Sequence, residues 1–116
     1  MASRTTSPLR HPGVEEIEFA KVLAALSDPV RLAIVVMLAE RTEVPCGGFG
    51  LAISKSTSSW HFRTLREAGV IRQTDQGTRR LNTLRRADLD ARFPGLLDLA
   101  ITEGARSIGG LSPSRD

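Results

Sequence analysis

At 116 residues, 41% hydrophobic and 25% charged, the chain has an ordinary globular composition and the length of one domain rather than two. No stretch approaches the roughly 18–20 apolar residues of a bilayer span, and the start, with Arg4 and Arg10 but no apolar run, is not a secretory signal. The formal net charge is only +3, but it is unevenly placed: residues 54–86 hold eight basic and two acidic side chains, the remainder eight basic and eleven acidic. Such asymmetry points to a surface built for a polyanion. The single Cys46 cannot form an internal disulfide, which fits a reducing compartment; no membrane partner is expected, and the expected location is cytoplasmic.

Residues 1–13, rich in Ser, Thr and Pro and without periodicity, read as a flexible arm, and 106–116 as a flexible tail. Between them, 14–105 form the expected domain. Val14, Ile17, Leu23 and Leu26 recur at helical spacing, with Glu15, Glu16 and Glu18 in the first turn, where the helix dipole favours them. Ser27-Asp28-Pro29 ends that helix and opens a second over 29–41, with Asp28 or Ser27 as cap and Pro29 at the first helical position. Leu32, Ile34, Val35, Val36, Met37 and Leu38 leave this second helix apolar nearly all round, which predicts a central place. Residues 42–50 carry Pro45, Gly47, Gly48 and Gly50 and predict a short irregular helix or turn.

Ser54 is a good N-cap for a helix over Lys55–Ala68, closed by Gly69. At 100° per residue Ser58, His61, Phe62 and Leu65 share one face, and Ser56, Trp60, Arg63 and Glu67 the opposite one. Two strand-like runs, 70–74 and 79–84, flank a turn at Asp75-Gln76-Gly77 and give a hairpin with a basic tip. Residues 86–92 have room for a short helix. Pro94 then opens a last helix over 94–105 with Leu96, Leu97, Ala100 and Ile101 as its apolar stripe. The fold class is therefore mainly α with a small β-hairpin: four helices, the hairpin and a fifth helix, in the order of a winged helix-turn-helix. In that architecture one helix enters the major groove, and the hairpin lies along the adjacent backbone or minor groove.

The segments LSDPVRLAIVVMLAE (26–40), SKSTSSWHFRTLREAGVI (54–71) and DQGTRRLNTL (75–84) resemble the ArsR/SmtB-type family of bacterial transcriptional regulators. The resemblance spans about residues 14–105. It implies a homodimer, joined mainly by its first and last helices, that represses promoters and releases DNA when an effector binds. Carried over by position, Lys55, Ser56, Thr57, Ser59, Trp60 and Arg63 match the groove-facing segment, and Arg79 and Arg80 the wing. Trp60 stands where Arg or His is common, so readout there would be by packing more than by bidentate hydrogen bonds. Ile17, Leu23, Leu96, Leu97, Ala100 and Ile101 are the expected dimer contacts.

Each of these residues also has a plainer reading. The Ser/Thr run can be a solvated helix start, Arg79 and Arg80 a solvated wing, and His61 a packed core histidine rather than a ligand. Trp60 can mark a protein contact or fold back on the domain, so a winged-helix protein-interaction module is the competing function. Many members of the family sense metals, but its paired-cysteine site is broken here, because Gly47 and Gly48 follow Cys46. Its zinc pattern on the last helix is also missing: Asp98 and Glu103 have no His nearby. A mixed metal site from His11, Cys46 and a partner carboxylate is the remaining metal reading; no cofactor is identified, and the effector, whether small molecule, metal or protein, stays open. No phosphate loop, nucleophile elbow, Ser-His triad or pair of catalytic carboxylates is evident, so no enzyme is expected.

Overall fold

The computed structural model describes residues 9–41 and 44–107. Five α-helices surround a small antiparallel sheet: α1 Phe19–Leu26, α2 Pro29–Glu40, α3 Lys55–Ala68, α4 Arg86–Arg92 and α5 Leu96–Ser107, with strands β1 Val44–Pro45, β2 Ile71–Gln76 and β3 Arg79–Leu84. This is the winged helix-turn-helix arrangement, with β2 and β3 as the wing. Asp28 caps α2 by accepting from the Val30 and Arg31 amides at 2.8 and 3.2 Å, and the chain turns by 97° between α1 and α2. Helix α2 lies at the centre as its composition requires: Ile34, Val35 and Leu38 are buried with Val22 of α1, Phe62 and Leu65 of α3, and Leu97 of α5.

The first helix begins later than its periodicity implies. Val14–Glu16 is a 3-10 turn, closed by Gly13 N–H donating to Glu16 Oε1 at 2.7 Å, and Ile17 is extended before α1 starts at Phe19. The extended residue drives the Ile17 side chain into the core, where it is 2% exposed. The expected third helix is a 3-10 turn, Cys46–Phe49, whose glycines disfavour an α-helix. The short helix for which 86–92 had room is formed, as α4.

Strand β1 went unread in the sequence. It pairs antiparallel with β3 (Val44 opposite Asn82, Pro45 opposite Leu81), so the sheet order is β1-β3-β2. Pro45 is tolerated because β1 is an edge strand. The wing pairs Ile71 with Leu84 through Gln76 with Arg79, which moves the turn one residue beyond its expected place, onto Gly77 and Thr78. Gly77 takes φ +62° there, a conformation suited to glycine in a two-residue hairpin turn.

Residues 9–13 are not a loose arm. Arg85 donates to the Pro12 carbonyl at 2.8 Å, the Gln73 amide donates to His11 Nε2 at 3.0 Å, and Arg66 Nε donates to the Arg10 carbonyl at 3.3 Å. At the other end α5 runs to Ser107, two residues past the expected boundary; the rest of the expected tail lies outside the described residues.

The join between α3 and the wing depends on Gly69. It sits at φ +90°, its N–H bonded back to Arg66 O and the Val70 N–H to Leu65 O, which closes the helix and turns the chain into β2. A methyl group there would lie 2.7 Å from Ile17 Cγ1. Gly69→Ala is therefore expected to lower stability by about 1–3 kcal/mol through positive-φ strain and overpacking. Urea unfolding followed by circular dichroism measures this, and an unchanged midpoint would contradict it.

Candidate nucleic-acid interface

Helix α3 is aimed by its caps and by its buried face. Ser54 Oγ accepts the Thr57 amide at 3.2 Å and donates to Thr57 Oγ1 at 2.9 Å, holding the first turn. His61, Phe62 and Leu65 are buried, Ser58 is half-buried, and Phe62 packs on Phe49 of the 3-10 turn with centroids 5.2 Å apart. The opposite face is consequently turned out. Lys55, Ser56, Thr57, Ser59, Trp60 and Arg63 are all exposed, as are Arg79 and Arg80 on the wing.

Between α3 and the wing lies an open groove of about 1040 Å³. Ser56, Ser59, Trp60 and Arg63 line one wall and Arg79 and Arg80 the other. Lys55 and Thr57 sit at the helix start and do not line it. Sequence reasoning also passed over groove residues: Arg66, Gln73, Thr78 and Leu9 line it too. Arg66 had been visible only as one charge in the basic third of the chain; its direction toward Gln73 is tertiary information.

A buried polar relay fixes the distance between helix and wing. Arg66 donates to Gln73 Oε1 at 2.7 Å, Gln73 Nε2 to Asn82 Oδ1 at 2.9 Å, and Asn82 Nδ2 to the Val44 carbonyl at 2.9 Å. The relay ties α3 to all three strands. Asn82 is fully buried, so its amide needs these partners.

A second tie joins α3 to the first helix. Arg31 of α2 is 8% exposed; its Nε donates to the Ala25 carbonyl at 2.8 Å, a second nitrogen to Ala24 O at 3.4 Å, and a third stands 3.0 Å from His61 Nδ1. The guanidinium thus satisfies the Ala25 carbonyl at the end of α1 and adds to the Ser27 amide and hydroxyl at Ala24 O, where a cation is favoured by the helix dipole. It also lies 5.1 Å from the centroid of the Trp60 ring, which holds the half-exposed indole (49%) from below. His61 is a core histidine, its plainer reading.

The wing is less cationic than its two arginines suggest. Asp75 takes Arg80 in a two-point contact of 2.7 and 3.3 Å, and that hydrogen bond holds the Asp75 carboxyl below its ordinary pKa. His11 is pushed below its ordinary value of 6.5 by burial first and then by Arg72, Arg66 and Arg85, against a hydrogen bond to the Leu9 backbone. It is neutral at pH 7 and keeps a lone pair for the Gln73 amide. A depressed histidine contributes stability that is complete above pH 6.5 and lost as pH falls through the lowered value.

Two expected dimer contacts are corrected. Ile17 and Leu97 are 2% and 1% exposed within one subunit and have no surface left to present. Leu23 is exposed, while Leu96, Ala100 and Ile101 are partly buried against the core. Phe19 and Leu99, overlooked in the sequence, are 49% and 60% exposed and border a shallow apolar depression with Phe93 and Leu96. Among the described residues no three His, Cys, Asp or Glu side chains gather as metal ligands, and the Cys46 side chain lies outside the described residues. Nor is any single described helix long and apolar enough to cross a membrane.

Comparison with known proteins agrees with this geometry. A helix-turn-helix domain family matches residues 26–74. An uncharacterized HTH-type transcriptional regulator of Bacillus subtilis (strain 168), YceK, is 37% identical over 82 residues, covering 68% of this chain and 82% of the relative. Among solved structures, the transcriptional repressor BigR from Xylella fastidiosa superposes with a TM-score of 0.57 at 28% identity, over 72% of this chain and 83% of its own. An ArsR family transcriptional regulator gives 0.56 at 19% identity, over 84% and 92%.

The Arg31 tie generates an expectation. Arg31→Met strands the Ala25 carbonyl and the His61 ring nitrogen, so it should cost about 1–3 kcal/mol, whereas Trp60→Ala should cost less because the indole is half in solvent. Thermal or urea unfolding compares the two; equal costs would mean that Arg31 is not the structural partner.

Proposed function

The chain belongs to the HTH-type transcriptional regulators, and we propose that it is an ArsR-type member, a homodimeric, sequence-specific repressor of double-stranded DNA operators, released by an effector. That it is a DNA-binding transcriptional regulator follows from the family, whose members act by binding rather than by catalysis. The observation that carries the finer reading is the shared groove: the polar face of α3 and the arginines of the wing open onto the same space. Helix α3 inserted in a major groove puts Ser56, Ser59, Trp60 and Arg63 at base edges, with Lys55 and Thr57 at the flanking phosphates. Arg79 and Arg80 then meet the neighbouring backbone. Trp60 reads by its apolar face, since its one ring N–H cannot make a bidentate pair.

Repression and the dimer are supported by BigR, a repressor by its description, and by the apolar surface of α1 and α5. Phe19 and Leu23 on α1 and Leu99 on α5 are large apolar side chains left exposed in the subunit, the kind of surface a second copy would cover. A second copy covering them would set two α3 helices at symmetric half-sites, so the operator is expected to be palindromic. The location proposed is cytoplasmic, and the effector is a small molecule, metal or protein.

Selection from a random duplex pool tests the whole reading. A roughly palindromic enriched motif is expected; no enrichment favours the protein-interaction reading, for which the half-exposed Trp60 on a polar face is the supporting observation. Asp75→Asn releases Arg80 and is expected to tighten binding to every duplex and steepen its dependence on salt by about one phosphate's worth. Unchanged affinity and slope in filter-binding titrations from low to high salt would show that Arg80 does not meet the backbone. Leu99→Asp buries a charge in the proposed dimer contact and is expected to yield monomers by light scattering, while a persisting dimer would place the contact elsewhere.

A further inference from the structure

Among the described residues four large apolar side chains are exposed: Phe19 and Leu23 on α1, Leu99 on α5 and Trp60 on α3. Trp60 differs from the others in its surroundings, because it lines the groove beside Ser56, Ser59 and Arg63. A single exposed apolar side chain is common and by itself means little. This one, however, is held. The Arg31 guanidinium, itself buried and fixed by the Ala25 carbonyl, lies over the indole at 5.1 Å from its centroid. The buried His61 ring stands 4.9 Å away, tilted by 48°. With one ring face backed by a cation, the part left in solvent is a pre-placed apolar surface that loses little freedom when something packs on it.

We propose that Trp60 reads thymine, its exposed ring packing on the C5-methyl group of one thymine in the operator half-site, a role that rests on the DNA-binding reading and adds to it the identity of one base. The major-groove edges of the four bases carry hydrogen-bond donors and acceptors, and the thymine methyl is the one apolar group among them. An arginine at this position would seek the paired acceptors of guanine. An indole has a single N–H and offers chiefly apolar area, so the methyl is the base-edge group it fits. The neighbouring polar groups suit the same base. Ser56, exposed one turn earlier on the same face, has a hydroxyl that donates to an acceptor such as the thymine O4 beside the methyl. Cytosine at that place has no methyl and fills no forbidden space, so discrimination comes from lost contact rather than from a clash.

The experiment uses the full chain and a duplex enriched by selection, with each thymine of a half-site replaced in turn by deoxyuridine, which removes the methyl group and leaves the pairing intact. One replacement is expected to weaken wild-type binding about fourfold, the worth of one buried methyl-sized group. At that position 5-methylcytosine should bind more tightly than cytosine by a similar factor. Trp60→Ala should bind the thymine and uracil duplexes alike, whereas Trp60→Phe, which keeps an aromatic ring, should still prefer thymine. Trp60 is also the one tryptophan of the chain, so its fluorescence should be shielded from acrylamide when the wild-type protein binds the selected duplex, a readout that needs no variant. If the wild-type chain binds that duplex but no uracil replacement costs affinity, or the cost is as large in Trp60→Ala, or the indole stays open to acrylamide, thymine reading is refuted while the DNA-binding reading stands. If the wild-type chain binds no duplex, both fall.

Discussion

The buried relay from Arg66 through Gln73 and Asn82 to the Val44 carbonyl sets the geometry on which the rest depends. A reading helix and a wing are useful only at a fixed separation, because base edges and the neighbouring phosphates are themselves rigidly spaced. An apolar contact between α3 and the hairpin would allow sliding. The relay opposes sliding, since the buried amide of Asn82 would be stranded without water if its partners moved. Asn82, fully buried on the middle strand, reaches both ways and so joins the helix, the wing and the short edge strand β1.

Arg31 performs the matching task at the other end of α3. Its guanidinium ends α1, crosses from α2 and supports both His61 and the Trp60 ring. The helix that carries exposed apolar surface and the helix that carries the polar face are thereby joined through one buried cation.

The electrostatics of the basic stretch 54–86 are more tempered than a count of arginines implies, at the groove through Asp75 and away from it through Asp88 and Asp98. Asp75 occupies Arg80, Asp88 contacts both Arg85 and Arg72, and Asp98 holds Arg86 at 2.9 Å. Such pairing lowers the field toward any polyanion and leaves discrimination to shape and to the residues of α3. Burial first, and then the charges of Arg72, Arg66 and Arg85, depress His11, which favours the neutral ring that accepts from the Gln73 amide and holds the leading segment against β2.

Much of this protein was legible from local patterns. The Ser54 cap, the Gly69 stop and the two faces of α3 follow from 3.6-residue periodicity and capping chemistry, which are properties of short stretches. So do the Asp28-Pro29 start of α2, its central place and the existence of the wing. Other features depended on partners far away in the chain. Strand β1 is two residues long and forms only because β3 offers an edge; Ile17 leaves the helical pattern because Gly69 opens a slot for it; Leu97 is core while its neighbour Leu99 is exposed. The course of residues 9–13 rests on a histidine and two arginines whose partners lie 56–73 residues away. Local sequence carries periodicity and end signals, but which of several apolar or basic side chains turns inward is decided only when the helices meet, because burial is a property of the assembled surface.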